Sequence, residues 1–86
     1  MDLKEEYAGK NVLITGGLGF IGSNLAEKLV ALGANVFILD ANLPRYGANI
    51  FNIESIKDKI TLDYGDIRDP VAVKRNVAGK NIIFNL

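Results

Sequence analysis

Four short apolar runs punctuate this chain: Val12-Leu13-Ile14, Val36-Phe37-Ile38-Leu39, Ile60-Thr61-Leu62 and Ile82-Ile83-Phe84. They are rich in β-branched and aromatic residues, and helical patterns lie between them. Runs of this kind suit strands buried on both faces, as in parallel sheets. Parallel neighbours cannot be joined by a tight turn, so each connection must cross over a face of the sheet, with a right-handed sense. The expected fold is therefore α/β: a partial Rossmann fold, with a parallel sheet of about four strands in the order 3-2-1-4 and flanking helices.

The intervening patterns carry their own start and stop signals. After the first run, Ile21, Leu25, Leu29 and Leu32 form one helical stripe, with Ser23, Asn24, Glu27 and Lys28 largely on the other side. Gly33 stands where a left-handed C-cap is needed. Asp69-Pro70 reads as N-cap followed by first helical residue, Val73 and Val77 share a face, and Gly79 closes that helix. Between the second and third runs, Ile50, Ile53 and Ile56 have near-helical spacing, and Asn42-Leu43-Pro44 before them reads as loop. The stretch Asn81 to Leu86 forms a strand with an apolar, uncovered edge. Residues 1–86 are thus expected to be the N-terminal part of a single larger nucleotide-binding domain. Two copies are expected to pair through that fourth strand as a homodimer.

Composition narrows the function. Ten Lys and Arg balance ten Asp and Glu, with a pI near 6.2, so charge gives no case for nucleic acid or an anionic membrane as partner. There is no Cys and no His, which removes disulfides, Cys/His zinc sites and His-dependent nucleophilic triads from these residues. No apolar run is long enough to span a bilayer, and the charged start, Met1 to Glu6, lacks a secretory core. A cytoplasmic location is the expectation.

The chemistry lies in Thr15-Gly16-Gly17-Leu18-Gly19-Phe20-Ile21-Gly22, which follows the first strand and opens a helix. Both Gly17-x-Gly19-x-x-Gly22 and Gly16-x-x-Gly19-x-x-Gly22 fit a dinucleotide loop. Such a loop needs positive φ at its turn and no Cβ where a pyrophosphate lies on the backbone, and the helix start supplies N–H donors and positive potential. An ordinary strand-to-helix turn is the plainer alternative. The phosphate loop Gly-x4-Gly-Lys-Ser/Thr is absent. Asp40 ends the second strand, eighteen residues after Gly22. A carboxylate there accepts from both ribose hydroxyls of NAD and repels the 2′-phosphate of NADP, though an Asp can also simply cap a turn. Arg45 leaves several readings open: phosphate contact, a lid over adenine, or a solvated loop residue. Asp63, Asp66 and Asp69 recur every three residues, but Asp69 has a capping role and no metal site is expected. Asp66 and Ile67 fall beyond the third strand's carboxyl end, where ligands of open α/β sheets bind, and are candidates for an adenine pocket.

Together these residues resemble the extended short-chain dehydrogenase/reductase family, and within it the NAD-dependent epimerase/dehydratase branch acting on nucleotide sugars. Thr15-Gly16-Gly17-x-Gly19-Phe20-Ile21-Gly22 is similar to that branch's glycine motif, and Asp40 with Asn42-Leu43 to its ribose-binding loop. Gly65-Asp66-Ile67-Arg68-Asp69 resembles its adenine loop, and Ile83-Phe84-Asn85-Leu86 its fourth strand. The resemblance implies that the Phe20 and Ile21 amides face the pyrophosphate, that Asp66 and Ile67 bind adenine, and that Leu86 lines the cofactor cleft. Phe20 and Ile21 also read as core residues at a helix start. The family's catalysis uses a Ser or Thr and a Tyr-x3-Lys pair located after the fourth strand. Here Tyr7, Tyr46 and Tyr64 are followed four residues later by Asn11, Ile50 and Arg68, so no such pair is present. The expected function is NAD(H) binding through the adenosine-pyrophosphate half of the site, within a nucleotide-sugar epimerase or dehydratase. A non-catalytic Rossmann module and an NADP-linked reductase are the other readings.

Overall fold

A computed structural model describes residues 2–41 and 50–86. Asn42 and Arg45 lie outside the described residues. The order is α1 (Leu3–Tyr7), β1 (Asn11–Thr15), α2 (Phe20–Ala31), β2 (Asn35–Leu39), a 3₁₀ segment (Ile50–Lys59), β3 (Ile60–Asp63), α3 (Pro70–Val77) and β4 (Ile82–Asn85). The four strands form one parallel sheet in the order β3-β2-β1-β4, as the alternation predicts. Val12 sits opposite Val36 on one side and Ile82 on the other, and Val36 faces Ile60.

Most of the core lies on one face. Val12, Ile14, Leu18, Ala26, Leu29, Val36, Ile38, Ile53 and Ile56 pack there beneath α2 and the 3₁₀ segment. Each large side chain buried fully contributes on the order of 1.5–3 kcal/mol. The opposite face has a smaller cluster, Leu13, Leu39 and Ala72, with Phe37 and Val73 partly covered. The expectation of strands buried on both faces holds for the central β1 and much of β2. It fails for the edges: β3 and β4 have no fully buried residue, and Ile83 is exposed.

The helix signals are partly rephased. Asp69 caps α3, its carboxylate accepting from the Val71 N–H at 3.0 Å, and Pro70 follows as the first helical residue. In the 3₁₀ segment, Ile53 and Ile56 are both buried, and a three-residue spacing is the one that lines up in a helix of three residues per turn. In α2 the buried residues are Gly22, Ser23, Ala26 and Leu29; of the expected stripe, Leu29 is buried and Leu25 packs against the core, while Ile21 is not. Ile21 is largely exposed, as is Phe20, so neither is a core residue. Ser23, expected on the polar face, is buried, and its hydroxyl is satisfied by donating to the Phe20 carbonyl at 2.9 Å. The short helix α1, capped by Asp2 Oδ1 accepting from the Lys4 N–H, carries Tyr7 against the main core and was not legible in the pattern.

Candidate functional site

The carboxyl ends of all four strands converge on one edge of the sheet. The chain runs outward from β1 through β2 to β3, then returns to β4 on the other side of β1. A crevice opens outside the strand ends where the order reverses, and this is where open α/β sheets bind ligands. Here it is a cleft of about 330 Å³ lined by Thr15, Gly16, Asp40, Asp66, Ile67 and Leu86 among others.

On the β1 side the cleft is lined by Thr15 and Gly16, where the glycine loop begins. Gly16 turns the chain at φ +80, a conformation that L side chains rarely adopt, and its N–H donates to the Leu39 carbonyl at 2.9 Å. At Gly22 a Cβ would stand 2.3 Å from the Gly16 carbonyl oxygen and 2.8 Å from the Gly17 Cα. No side chain fits there. The helix start is pressed against the loop itself, which buries Gly22 in the first turn and leaves Ile21 exposed. Gly19 differs. Its φ of −73 and ψ of 169 suit any residue, and a Cβ would meet only the Gly16 oxygen, at 3.4 Å. Gly19 is the N-cap of α2 yet supplies no capping side chain, where Ser, Asp or Asn would stabilise the helix. The folded chain does not require this glycine. Beyond it, helix geometry leaves the Phe20, Ile21 and Gly22 N–H groups without an intrahelical acceptor, since the first bond of the ladder is Ser23 N–H to the Gly19 carbonyl. No acidic side chain occupies that first turn.

The other wall follows β3. Asp66 and Ile67 reach the cleft, as expected, but the Asp66 carboxylate is already engaged. It accepts from the Arg68 backbone N–H at 2.8 Å, from Nε at 3.0 Å and from Nη2 at 2.7 Å. These bonds, the side-chain ones foremost, hold its pKa down at about 2. Asp66 therefore shapes its own loop whatever else it does. Behind it, Asp63 accepts from Arg75 Nε at 2.7 Å, Arg75 Nη2 at 2.9 Å and Asn76 Nδ2 at 2.8 Å, which ties β3 to α3. The guanidinium of Arg75, then the Asn76 amide, lowers the Asp63 pKa to about 2. Asp63, Asp66 and Asp69 thus each serve a separate structural bond. Among the described residues no group of three or more acidic side chains could hold a metal ion.

Asp40 sits at the cleft rim at the end of β2, and its Oδ2 accepts from the Leu18 N–H at 3.0 Å. The floor is closed at β1 and β4: the buried Thr15 hydroxyl donates to Asn85 Oδ1 at 2.6 Å and accepts from the Leu86 N–H at 3.2 Å. Leu86 itself lines the cleft beside Gly16. Sequence reading missed four contributors: Thr15 and Asn85 in the floor, Arg75 behind the second wall, and Asn52, whose Nδ2 donates to the Leu18 carbonyl at 2.6 Å. All of these bonds join residues far apart in the chain, so spacing offers no signal for them.

No helix among the described residues is long and apolar enough to cross a membrane. Comparison with known proteins places this geometry. The chain is 41% identical over 75 residues to the UDP-glucose 4-epimerase of Neisseria meningitidis serogroup A, covering 85% of this chain and 22% of that protein. It superposes on an epimerase of Methanothermobacter thermautotrophicus with a TM-score of 0.85 and 41% identity, covering all of this chain and 25% of the other. The Bordetella bronchiseptica enzyme WbmF, solved in complex with NAD+, matches with a TM-score of 0.80 and 28% identity over 94% of this chain and 24% of its own. The chain thus spans no more than a quarter of the length of these relatives. Residues 13–86 match the family model described as GDP-mannose 4,6 dehydratase, and the chain belongs to that family, among the epimerases and dehydratases of the short-chain dehydrogenase/reductase type.

Proposed function

We propose that this cleft holds the adenosine-pyrophosphate half of NAD, in a protein that epimerises or dehydrates a nucleotide sugar. The observation that carries the reading is Gly19. It is a glycine that the fold does not need, set at a helix start whose first N–H groups point out of the ladder. A pyrophosphate lying across that position accounts for both features, since it needs backbone contact without a Cβ and it accepts from free N–H donors.

In this reading the Phe20 and Ile21 amides hold the pyrophosphate. Asp40 accepts from the adenosine ribose as well as from the Leu18 N–H, and Asp66 and Ile67 flank adenine. Leu86 borders the path toward the nicotinamide. The bound nicotinamide supplies hydride exchange with a sugar carbon, and this chain's residues supply binding and orientation. Similar enzymes solved with NAD+ support the choice of cofactor. A nucleotide sugar is the proposed substrate class of the whole protein. An exposed β4 edge carrying Ile83 also supports the proposal that two copies pair there, a point that sedimentation of wild type and Ile83→Lys decides.

Calorimetric titration with ADP-ribose tests the reading. Saturable heat is expected, and no heat at about 1 mM ligand overturns it. Asp40→Ala is expected to narrow the preference for NAD over NADP, because it removes both the ribose acceptor and the charge that repels a 2′-phosphate. An unchanged affinity ratio would leave Asp40 as a brace of the loop alone.

A further inference from the structure

Leu18 lies between the glycines at 17 and 19, and side chains from outside the loop hold both of its backbone polar groups. Its N–H donates to Asp40 Oδ2 at 3.0 Å, and its carbonyl accepts from Asn52 Nδ2 at 2.6 Å. Its side chain is fully buried in the main core. The peptide joining Leu18 to Gly19 is therefore fixed at both ends. Asn52 holds its carbonyl, and its N–H donates to the Gly16 carbonyl at 3.2 Å. The next peptide carries the Phe20 N–H, the first donor of α2 with no intrahelical acceptor. Glycine-rich backbone loses more conformational freedom on ordering than any other, so without such bonds this loop would sample many directions for that donor.

Asn52 reaches the loop from the 3₁₀ segment, 34 residues along the chain. That segment is itself docked on the same helix, since the Ser55 hydroxyl donates to Glu27 Oε1 at 3.1 Å and Ile53 and Ile56 are buried beside α2. The anchor is thus rigid relative to the helix whose start it serves.

We propose that Asn52 is a positioning residue for the pyrophosphate loop: through the Leu18 carbonyl it sets the direction of the Gly19 and Phe20 peptides without touching the ligand. The proposal rests on the reading that this loop holds a pyrophosphate. It extends that reading to a residue of the 3₁₀ segment, and it makes Asp40 a brace of the loop as well as a ribose acceptor.

The test compares wild type with Asn52→Leu, which keeps the bulk and removes the donor, using ADP-ribose and adenosine as probes in chemical-shift titrations. ADP-ribose affinity is expected to fall about 3- to 10-fold, the scale of one hydrogen bond, with adenosine affinity within about twofold of wild type. Amide exchange at Gly19 in the free protein is expected to quicken. Wild-type binding with an unchanged ADP-ribose affinity in the variant overturns the proposal and leaves the cofactor reading intact, as does an equal loss for both probes. Absence of ADP-ribose binding by wild type overturns both. If Asn52→Leu does not fold, Asn52→Ser reads the same discrimination between the two probes, with the same outcomes.

Discussion

The two walls of the cleft are built from different physics. The glycine wall is held mainly by shape: Gly22 lies too close to Gly16 for any side chain, Leu18 is sunk in the core, and backbone groups bond across the turn, with one carboxylate, Asp40, bracing the Leu18 N–H. The wall after β3 is held by charge: Asp66 grips Arg68 at the surface, and Asp63 grips Arg75 and Asn76. Close packing barely responds to salt or pH, whereas exposed ion pairs respond to both. The comparison teaches that the glycine side owes its shape mainly to packing, while the β3 side depends more on its carboxylates being ionised.

Breaking the packed wall is expected to have the largest effect. Gly22→Val puts carbon where the Gly16 carbonyl stands, and a destabilisation of about 3 kcal/mol or more is expected from overpacking. A shifted denaturant midpoint measures it; an unchanged midpoint would show that the loop can withdraw from the helix. Next comes the inner tie of the charged wall. Asp63→Ala leaves Arg75 unpaired and Asn76 with only its bond to the Ala72 carbonyl, so a loss of about 1 kcal/mol is expected in the same melt. A loss as large as that of Gly22→Val would remove the distinction between the walls.

The pH response sharpens the comparison. Asp63 and Asp66 have folded pKa values near 2, below the ordinary carboxylate value of 3.8. Groups depressed on folding stabilise the folded state fully above their unfolded value and lose that contribution as pH falls through the folded one. As far as Asp63 goes, stability is therefore expected to be flat above about pH 5 and to drop between about pH 5 and 2, with the exposed Asp66 pair adding little. Asp63→Asn should flatten that limb in a pH series of thermal melts, and an undiminished limb would assign the acid loss elsewhere. The smallest effect belongs to Arg68→Ala. Its side chain is 83% exposed, so no measurable change in melting is expected, with the change confined to the shifts of the 64–69 loop.

Much of this arrangement was legible from the residues, because its signals are local. Strand order follows from apolar runs separated by helical stretches, and the start of α3 follows from Asp69-Pro70. Gly16, Asp40, Asp66, Ile67 and Leu86 do meet at one cleft. What spacing could not convey was close approach between segments. In α2, Leu29 and in part Leu25 face the core as the spacing predicts, but Gly22, pressed on the loop, takes the first-turn place that the spacing assigns to Ile21. Asn52 and Arg75 looked like ordinary polar residues, since their partners lie 34 and 12 residues away. The edge strands read as fully buried because a short apolar run looks the same at the edge of a sheet as at its centre.

The central claim is that a pyrophosphate occupies the place of the missing Gly19 side chain. The most direct measurement is a titration of ADP-ribose into wild type and Gly19→Val, followed at the backbone amides, with a thermal melt of each. Valine is a poorer N-cap than glycine, by about 1 kcal/mol, and the free chain has room at that position for a Cβ, so a modest fall in melting temperature with the fold retained is expected. The wild-type amides of Phe20, Ile21 and Gly22 should shift on titration, and those of Gly19→Val should not. Equal shifts in both proteins, or none in wild type, would contradict the account.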